Sequence, residues 1–218
     1  MPKAVPRLIL FALSCAAGVA MFALLFYGSD RFNHYDSTLT AHLLAEPGSR
    51  TDSVANMVSG TANFAPLVVA LIVIVVLGLV WRRPWHLLVA IAVFVLANFS
   101  TQLMKAVLAH PRLQGALGAS YPVDVAYPSG HTTAAVSGGF ALWLVTPPKW
   151  RGYALLFAIA WAVGVGVGVV IGGWHFISDV LGAVMVVGFW ASLGLAALVM
   201  ARIENPADWK PVADPNRR

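Results

Sequence analysis

The chain has 218 residues, of which 59% are hydrophobic and only 11% charged, with a formal net charge of +5. Soluble domains carry roughly 25% charged residues, so this composition excludes a soluble globular domain, a disordered chain and a disulfide-rich scaffold. It is the composition of a polytopic membrane protein, and the single cysteine, Cys15, allows no internal disulfide.

A bilayer crossing takes about 20 mostly apolar residues. In chain order, six segments qualify: Leu8–Tyr27, Phe64–Trp81, Trp85–Ala109, Gly130–Thr146, Tyr153–Gly172 and His175–Ala201. All are read as helices, because lipid offers no partner to an unpaired backbone group. The fourth is short and opens on a polar tetrapeptide. The first follows Lys3 and Arg7, as a signal peptide would, but its apolar run exceeds the usual h-region of about 7–15 residues. Ala12, Leu13 and Ser14 also make a poor lipoprotein box before Cys15, so an uncleaved first helix is expected.

Basic residues set the orientation. Six helices put both termini on one side, together with Lys3, Arg7, Arg82, Arg83, Lys149 and Arg151 and the basic residues of the C-terminal segment. The other side holds only Arg31, Arg50, Lys105 and Arg112, so the termini are expected in the cytoplasm. The positive charge is thus topogenic, and no nucleic-acid partner is expected. Pro84, Pro147 and Pro148 punctuate two tight cytoplasmic turns. The fold expected is all-α: one six-helix transmembrane domain over residues 1–204, then a mobile cytoplasmic tail over 205–218.

Polar groups at membrane depth are costly, so each is a functional candidate. Three clusters fall on the outer side. Asn98, Gln102 and Lys105 lie at offsets of four and three, on one helical stripe, with Arg112 seven residues further on. This is either a snorkelling lysine with a juxtamembrane arginine or a pair of cations aimed at an anion. Pro128-Ser129-Gly130-His131 reads as a helix N-terminus with Ser129 as the cap. It is either a capped helix with an interfacial histidine or a cradle of free N–H groups suited to phosphate, where Gly130 admits a ligand to the backbone. His175 and Asp179, at i and i+4, are expected on one helix face. There the carboxylate accepts from Nδ1–H and leaves Nε2 as a nucleophile. A metal site would need a third ligand, and none stands at a recognisable spacing. Together the clusters supply cations, backbone donors, an acid and an oriented nucleophile, the parts of a phosphoryl-transfer site.

These residues resemble the type 2 phosphatidic acid phosphatase (PAP2) superfamily, whose pattern is Lys-x6-Arg-Pro, Pro-Ser-Gly-His, then Ser-Arg-x5-His-x3-Asp. Lys105 and Arg112 match the first motif, although Leu113 stands where the proline belongs. Residues 128–131 match the second in full, and His175 and Asp179 match the end of the third. The resemblance covers about Leu8–Ala201. One departure stands out: the serine and arginine of the third motif fall on Gly168 and Val169. A second phosphate-gripping cation would then have to come from Arg31, Arg50 or a nearby histidine such as His110.

The resemblance implies a six-helix bundle in the plasma membrane and a two-step hydrolysis of a lipid phosphate without metal or cofactor. His175 attacks phosphorus and forms a phosphohistidine, Asp179 orients it, and His131 protonates the leaving oxygen and then activates water. Lys105, Arg112, the Ser129 hydroxyl and the Gly130 N–H hold the phosphate oxygens. Substrates in this class are polyprenyl mono- or diphosphates, polyprenyl-phosphate sugar phosphates, phosphatidic acid and phosphatidylglycerol phosphate. Two alternatives stay open: a phosphotransferase with the same intermediate, and a non-catalytic lipid-phosphate binder or transporter. With one arginine fewer, a preference for monophosphates over diphosphates is expected.

Overall fold

The computed structural model describes residues 2–108 and 127–201. Within them the chain is helical and carries no strand: α1 (Ala4–Gly28), α2 (Asp30–Ala41), α3 (Arg50–Gly60), α4 (Phe64–Val80), α5 (Pro84–Val107), α6 (Gly130–Val145), α7 (Arg151–Ile171) and α8 (Ile177–Met200). A single 3-10 turn, Pro148–Trp150, leads into α7. The six expected segments are α1 and α4 to α8, with ends within a few residues of those read from hydropathy. The expected C-terminal tail falls outside the described residues.

Two helices, α2 and α3, were not expected. They occupy the polar stretch between the first two apolar segments, where no apolar run announces a helix. Their starts are nonetheless written in the chain. Ser29 caps α2 by accepting from the Phe32 N–H at 3.2 Å, and Ser49 caps α3 by accepting from the Asp52 N–H at 3.1 Å. α2 packs against α1 and α8, and α3 against α7.

Four described helices are long and apolar enough to cross a bilayer: α1, α5, the 3-10 turn with α7, and α8. The pair α3 and α4, bent by 47° at the intervening break, makes a fifth if taken as one span. The chain is therefore a multi-pass membrane protein. α6 has 16 residues, about 24 Å at 1.5 Å per residue, which is short of a hydrocarbon core of about 30 Å.

α6 is the interior helix of the bundle. It packs on α4, α5, α7 and α8, and Ala141, Leu144 and Val145 are buried with Ile74, Ala90 and Leu198. Lipid gives no hydrophobic drive to helix association, so close packing over small residues and polar contacts does the work. A Cβ on Gly139 would lie 2.9 Å from Ala158 Cβ. Thr101 and Thr133 pair their hydroxyls at 2.9 Å, and Asn98 donates to Ser137 Oγ at 3.1 Å, both tying α5 to α6. At the far end, the Arg83 and Arg151 guanidiniums donate to the Thr146 carbonyl at 2.5 and 3.1 Å. Cations there complete the helix C-terminus.

The two residues that depart from the family motif are explained by packing. A Cβ on Gly168 would lie 2.5 Å from Ser59 Oγ and 2.9 Å from the Ala55 carbonyl, so α3 rests directly on the α7 backbone. Val169 is fully buried with Ala62, Ala134, Ala135 and Val165. A second tie fixes α8: buried Asp36 on α2 accepts from the Ser178 N–H at 3.3 Å and from the Ser178 hydroxyl.

Gly168→Ala should therefore force α3 from α7 and lower stability by about 1–3 kcal/mol, read as a lower melting temperature in detergent. Asp36→Ala should strip buried partners from the first turn of α8 and cost about 1–3 kcal/mol in the same assay. Unchanged melting of either variant would contradict the packing described.

Candidate active site

The site is assembled where α7 gives way to α8. α7 stops at a Gly172-Gly173 pair, and Gly173 adopts φ +73°, a left-handed conformation that favours glycine at a helix C-terminus. The turn folds back so that the Val169 carbonyl accepts from both the Trp174 and His175 N–H groups, at 2.9 and 3.1 Å. His175 is thereby fixed by backbone before its side chain makes any contact.

Asp179 lies in the first turn of α8 and is wholly buried. Its Oδ2 accepts from the Phe176 N–H at 2.9 Å and from His175 Nδ1 at 3.2 Å. The pairing expected from the sequence is present, but the reason differs. His175 precedes α8 instead of lying on it, so the two do not share a helix face. They meet because the carboxylate caps the helix start and the histidine sits in the turn just before it. With hydrogen held on Nδ1, Nε2 presents its lone pair.

α6 begins against the same carboxylate-bearing turn. The Ser129 N–H donates to the Asp179 carbonyl at 3.1 Å. Ser129 Oγ accepts from the Thr132 N–H at 3.3 Å, the N-cap expected. Ser129 is itself fully buried. The remaining first-turn N–H groups of α6, those of Gly130 and His131, have no intrahelical acceptor, as at any helix start, and suit an anion. A cis peptide joins Tyr127 to Pro128 at the head of this motif. The Tyr127 hydroxyl donates to the Val19 carbonyl at 2.8 Å, and burial, followed by the nearby Asp179 charge, raises its pKa above the usual phenol value.

Over this helix start converge the other candidates. Lys105 Nζ lies 3.5 Å, and Gln102 Nε2 3.7 Å, from the position a Gly130 side chain would take. The His131 ring stands 6.5 Å from the His175 ring, nearly edge-on at 63°, and 5.2 Å from the Trp174 ring. Asn98, on the same stripe as Lys105, is turned to Ser137 and the Phe94 carbonyl and serves packing. Arg112 and His110 lie outside the described residues. Arg31 lines a cavity with Ile177 and Ser178, and Arg50 lines a groove along α3 and α7 that includes Gly168.

Lys105, Gly130, His131, His175 and Asp179 are thus brought together, and the set can hold an anion, attack it and move a proton. Three contributors were missed in the sequence. Asn63 contacts His131 Nε2 at 2.9 Å, Asp36 anchors the turn of Ser178, and Trp174 flanks His131. Asn63 and Asp36 come from the polar stretch that carried no motif. Trp174 adjoins His175 and was legible only as a neighbour. Among the described residues, no three His, Cys, Asp or Glu side chains converge as a metal site.

The PAP2 superfamily model matches residues 83–203, more than half of the chain. Among solved structures, the chain is similar to one described as the first transmembrane PAP2 type phosphatidylglycerolphosphate phosphatase from Bacillus subtilis. The TM-score is 0.70 at 19% identity, covering 89% of this chain and 98% of that one. At that identity the likeness is one of fold. No curated protein matches the chain significantly in sequence. With the motifs, their convergence and the family match in agreement, the chain belongs to the PAP2 superfamily.

Proposed function

We propose that the protein is a membrane-embedded lipid phosphatase that works through a phosphohistidine at the extracytoplasmic face of a six-span bundle in the plasma membrane. The observation that carries this reading is the His175–Asp179 pair facing His131 and Lys105 across the start of α6. His175 Nε2 attacks phosphorus in line with the departing oxygen. Asp179, hydrogen-bonded to Nδ1, steadies the cation that forms. His131 protonates the leaving oxygen and then takes a proton from water as the intermediate is hydrolysed. Lys105, the α6 N-terminus, Ser129 and Arg112 balance the charge on the phosphate oxygens.

A lipid substrate is supported by the surroundings of the site. An apolar groove of 480 Å³ runs along α6, α7 and α8, lined by Thr132, Val136, Gly166, Val170, Ile177 and Val180. Two of its lining residues, Thr132 and Ile177, lie one and two positions past His131 and His175 in the chain. The relative of known structure is named for phosphatidylglycerolphosphate, one of the candidate headgroups here. A non-catalytic binder is favoured only by the glycine and valine at 168 and 169; it would bind lipid phosphate without releasing phosphate.

The deciding experiment is a phosphate-release screen of the purified protein in EDTA against phosphatidic acid, phosphatidylglycerol phosphate and prenyl mono- and diphosphates. Release is expected to persist in chelator; loss restored by a divalent ion would contradict the charge balance proposed. His175→Ala should lower turnover at least roughly 1,000-fold while the protein stays folded, and near-normal release would sink the phosphohistidine.

Orientation is open to a separate check. In a Cys15→Ser background, a cysteine placed at Val123 should react with a membrane-impermeant thiol reagent in intact cells, and one at Ala207 should not. The reverse pattern would move the chemistry to the cytoplasm. Specificity is a further one. With valine in place of the motif arginine, catalytic efficiency should favour a prenyl monophosphate over its diphosphate by about 10-fold or more, and a preference for the diphosphate would refute it.

A further inference from the structure

The break between α3 and α4 carries a side chain into the site. α3 ends at Gly60 and α4 starts at Phe64, with Asn63 at the N-cap position in extended conformation (φ −66°, ψ 162°). An asparagine there ordinarily accepts from the N–H groups of the first turn, a contact worth about 1 kcal/mol. Asn63 makes no such bond. Its Oδ1 lies instead 2.9 Å from Nε2 of His131, a residue 68 positions later in the chain. An amide oxygen only accepts, so Nε2 carries the hydrogen of this bond.

We propose that Asn63 is the positioning residue of His131: it holds the imidazole with hydrogen on Nε2, so that Nδ1 is the nitrogen that exchanges protons with the substrate. The proposal rests on the phosphatase reading above. In the first step the His175 Nε2–phosphorus bond forms and the phosphorus–oxygen bond breaks. The Nδ1 proton of cationic His131 passes to the departing oxygen. In the second, water attacks phosphorus and gives a proton to His131 Nδ1, and the nitrogen–phosphorus bond pair returns to His175. No other reactant is needed.

The charge of each partner suits the histidine it holds. His175 turns cationic when phosphorylated, and its partner is the carboxylate of Asp179. His131 must be acid in one step and base in the next. A carboxylate against it would favour the charged form and hinder the second step, whereas a neutral amide orients the ring without that bias. The groups facing His131 from other elements are Lys105 on α5, beside Gly130, and Trp174 and His175 in the turn before α8, with Asp179 behind His175.

Leaving-group dependence tests this. The purified full-length protein in detergent is assayed with phenyl phosphate, whose leaving oxygen needs a proton, and with 2,4-dinitrophenyl phosphate, whose leaving group departs without one. Asn63→Ala should lower kcat/KM for phenyl phosphate about 10- to 100-fold, less than the roughly 100- to 10,000-fold expected of His131→Ala. For the dinitrophenyl ester kcat/KM, which reports the steps through phosphohistidine formation, should fall far less in both variants, whereas kcat should fall because His131 is also the base of the second step. Added to His131→Ala, Asn63→Ala should cost nothing more. Asn63→Asp, of nearly the same shape, should retain kcat/KM for phenyl phosphate, which reports the first step, and move the alkaline limb of its pH profile upward by about one unit.

Equal losses of kcat/KM on both esters, a further loss in the His131→Ala background or an unmoved limb in Asn63→Asp would overturn the proposal. If His131→Ala itself shows no leaving-group dependence, the acid–base assignment fails and the proposal with it. If His131→Ala shows the dependence and Asn63→Ala does not, Asn63 alone is refuted. Nitrogen-15 NMR of histidine-labelled protein gives a readout independent of turnover. The wild-type His131 signal, assigned by its loss in His131→Ala, should be that of the Nε2–H tautomer and should become a mixture in Asn63→Ala; an Nδ1–H signal in the wild type would overturn the proposal.

Discussion

The carboxylate of Asp179 is the constraint on which the site depends. One oxygen accepts from the Phe176 N–H and from His175 Nδ1, while the carbonyl of the same residue accepts from the Ser129 N–H. Three pieces are joined by this residue: the start of α8, the histidine in the preceding turn and the start of α6. A buried carboxylate is tolerated only when its lone pairs are met. Here they are met by the Phe176 N–H and His175 Nδ1, so folding the turn and orienting the proposed nucleophile are one event.

Around that point the bundle is held by contacts suited to lipid surroundings. The interior helix, α6, is pinned to α5 by hydroxyl and amide pairs, pressed against α7 at Gly139, and closed at its far end by two guanidiniums. Small residues and satisfied polar groups serve where hydrophobic burial gives no preference for helix over lipid. The same economy accounts for Gly168 and Val169. The chain uses these positions to seat α3 and fill the core, which leaves no room there for the arginine of the motif.

The segment between α1 and α4 makes a larger contribution than its composition suggests. α2 delivers Asp36 to the first turn of α8, α3 rests on α7, and the break before α4 delivers Asn63 to His131. These contacts come from the stretch without a catalytic motif, and each acts on a residue within or beside one. The motifs supply the groups proposed to react, and this segment helps to hold them in place.

Much of this was legible in the residues. Six apolar runs announced helices α1 and α4 to α8; a bilayer imposes length and hydrophobicity on a helix that crosses it, and four of them, or five with α3 and α4 taken as one span, meet that demand. Ser129 announced the start of α6, since its hydroxyl meets a backbone donor only a few residues away. Lys105, His131, His175 and Asp179 could be named because polar groups at membrane depth stand out, and Gly130 because it opens a capped helix start to a ligand. What the sequence could not decide is how side chains distant in the chain meet. The His175–Asp179 contact was foreseen for a shared helix face, and it arises instead from a glycine turn that keeps the histidine off α8. Asn63 and Asp36 sit in a polar stretch where such residues are ordinary, and only the packing of α2 and the bend before α4 bring them to their partners. Local chemistry and the bilayer determine the elements and the reactive residues; the tertiary structure decides which neutral or charged group each histidine faces, because that depends on contacts no local spacing encodes.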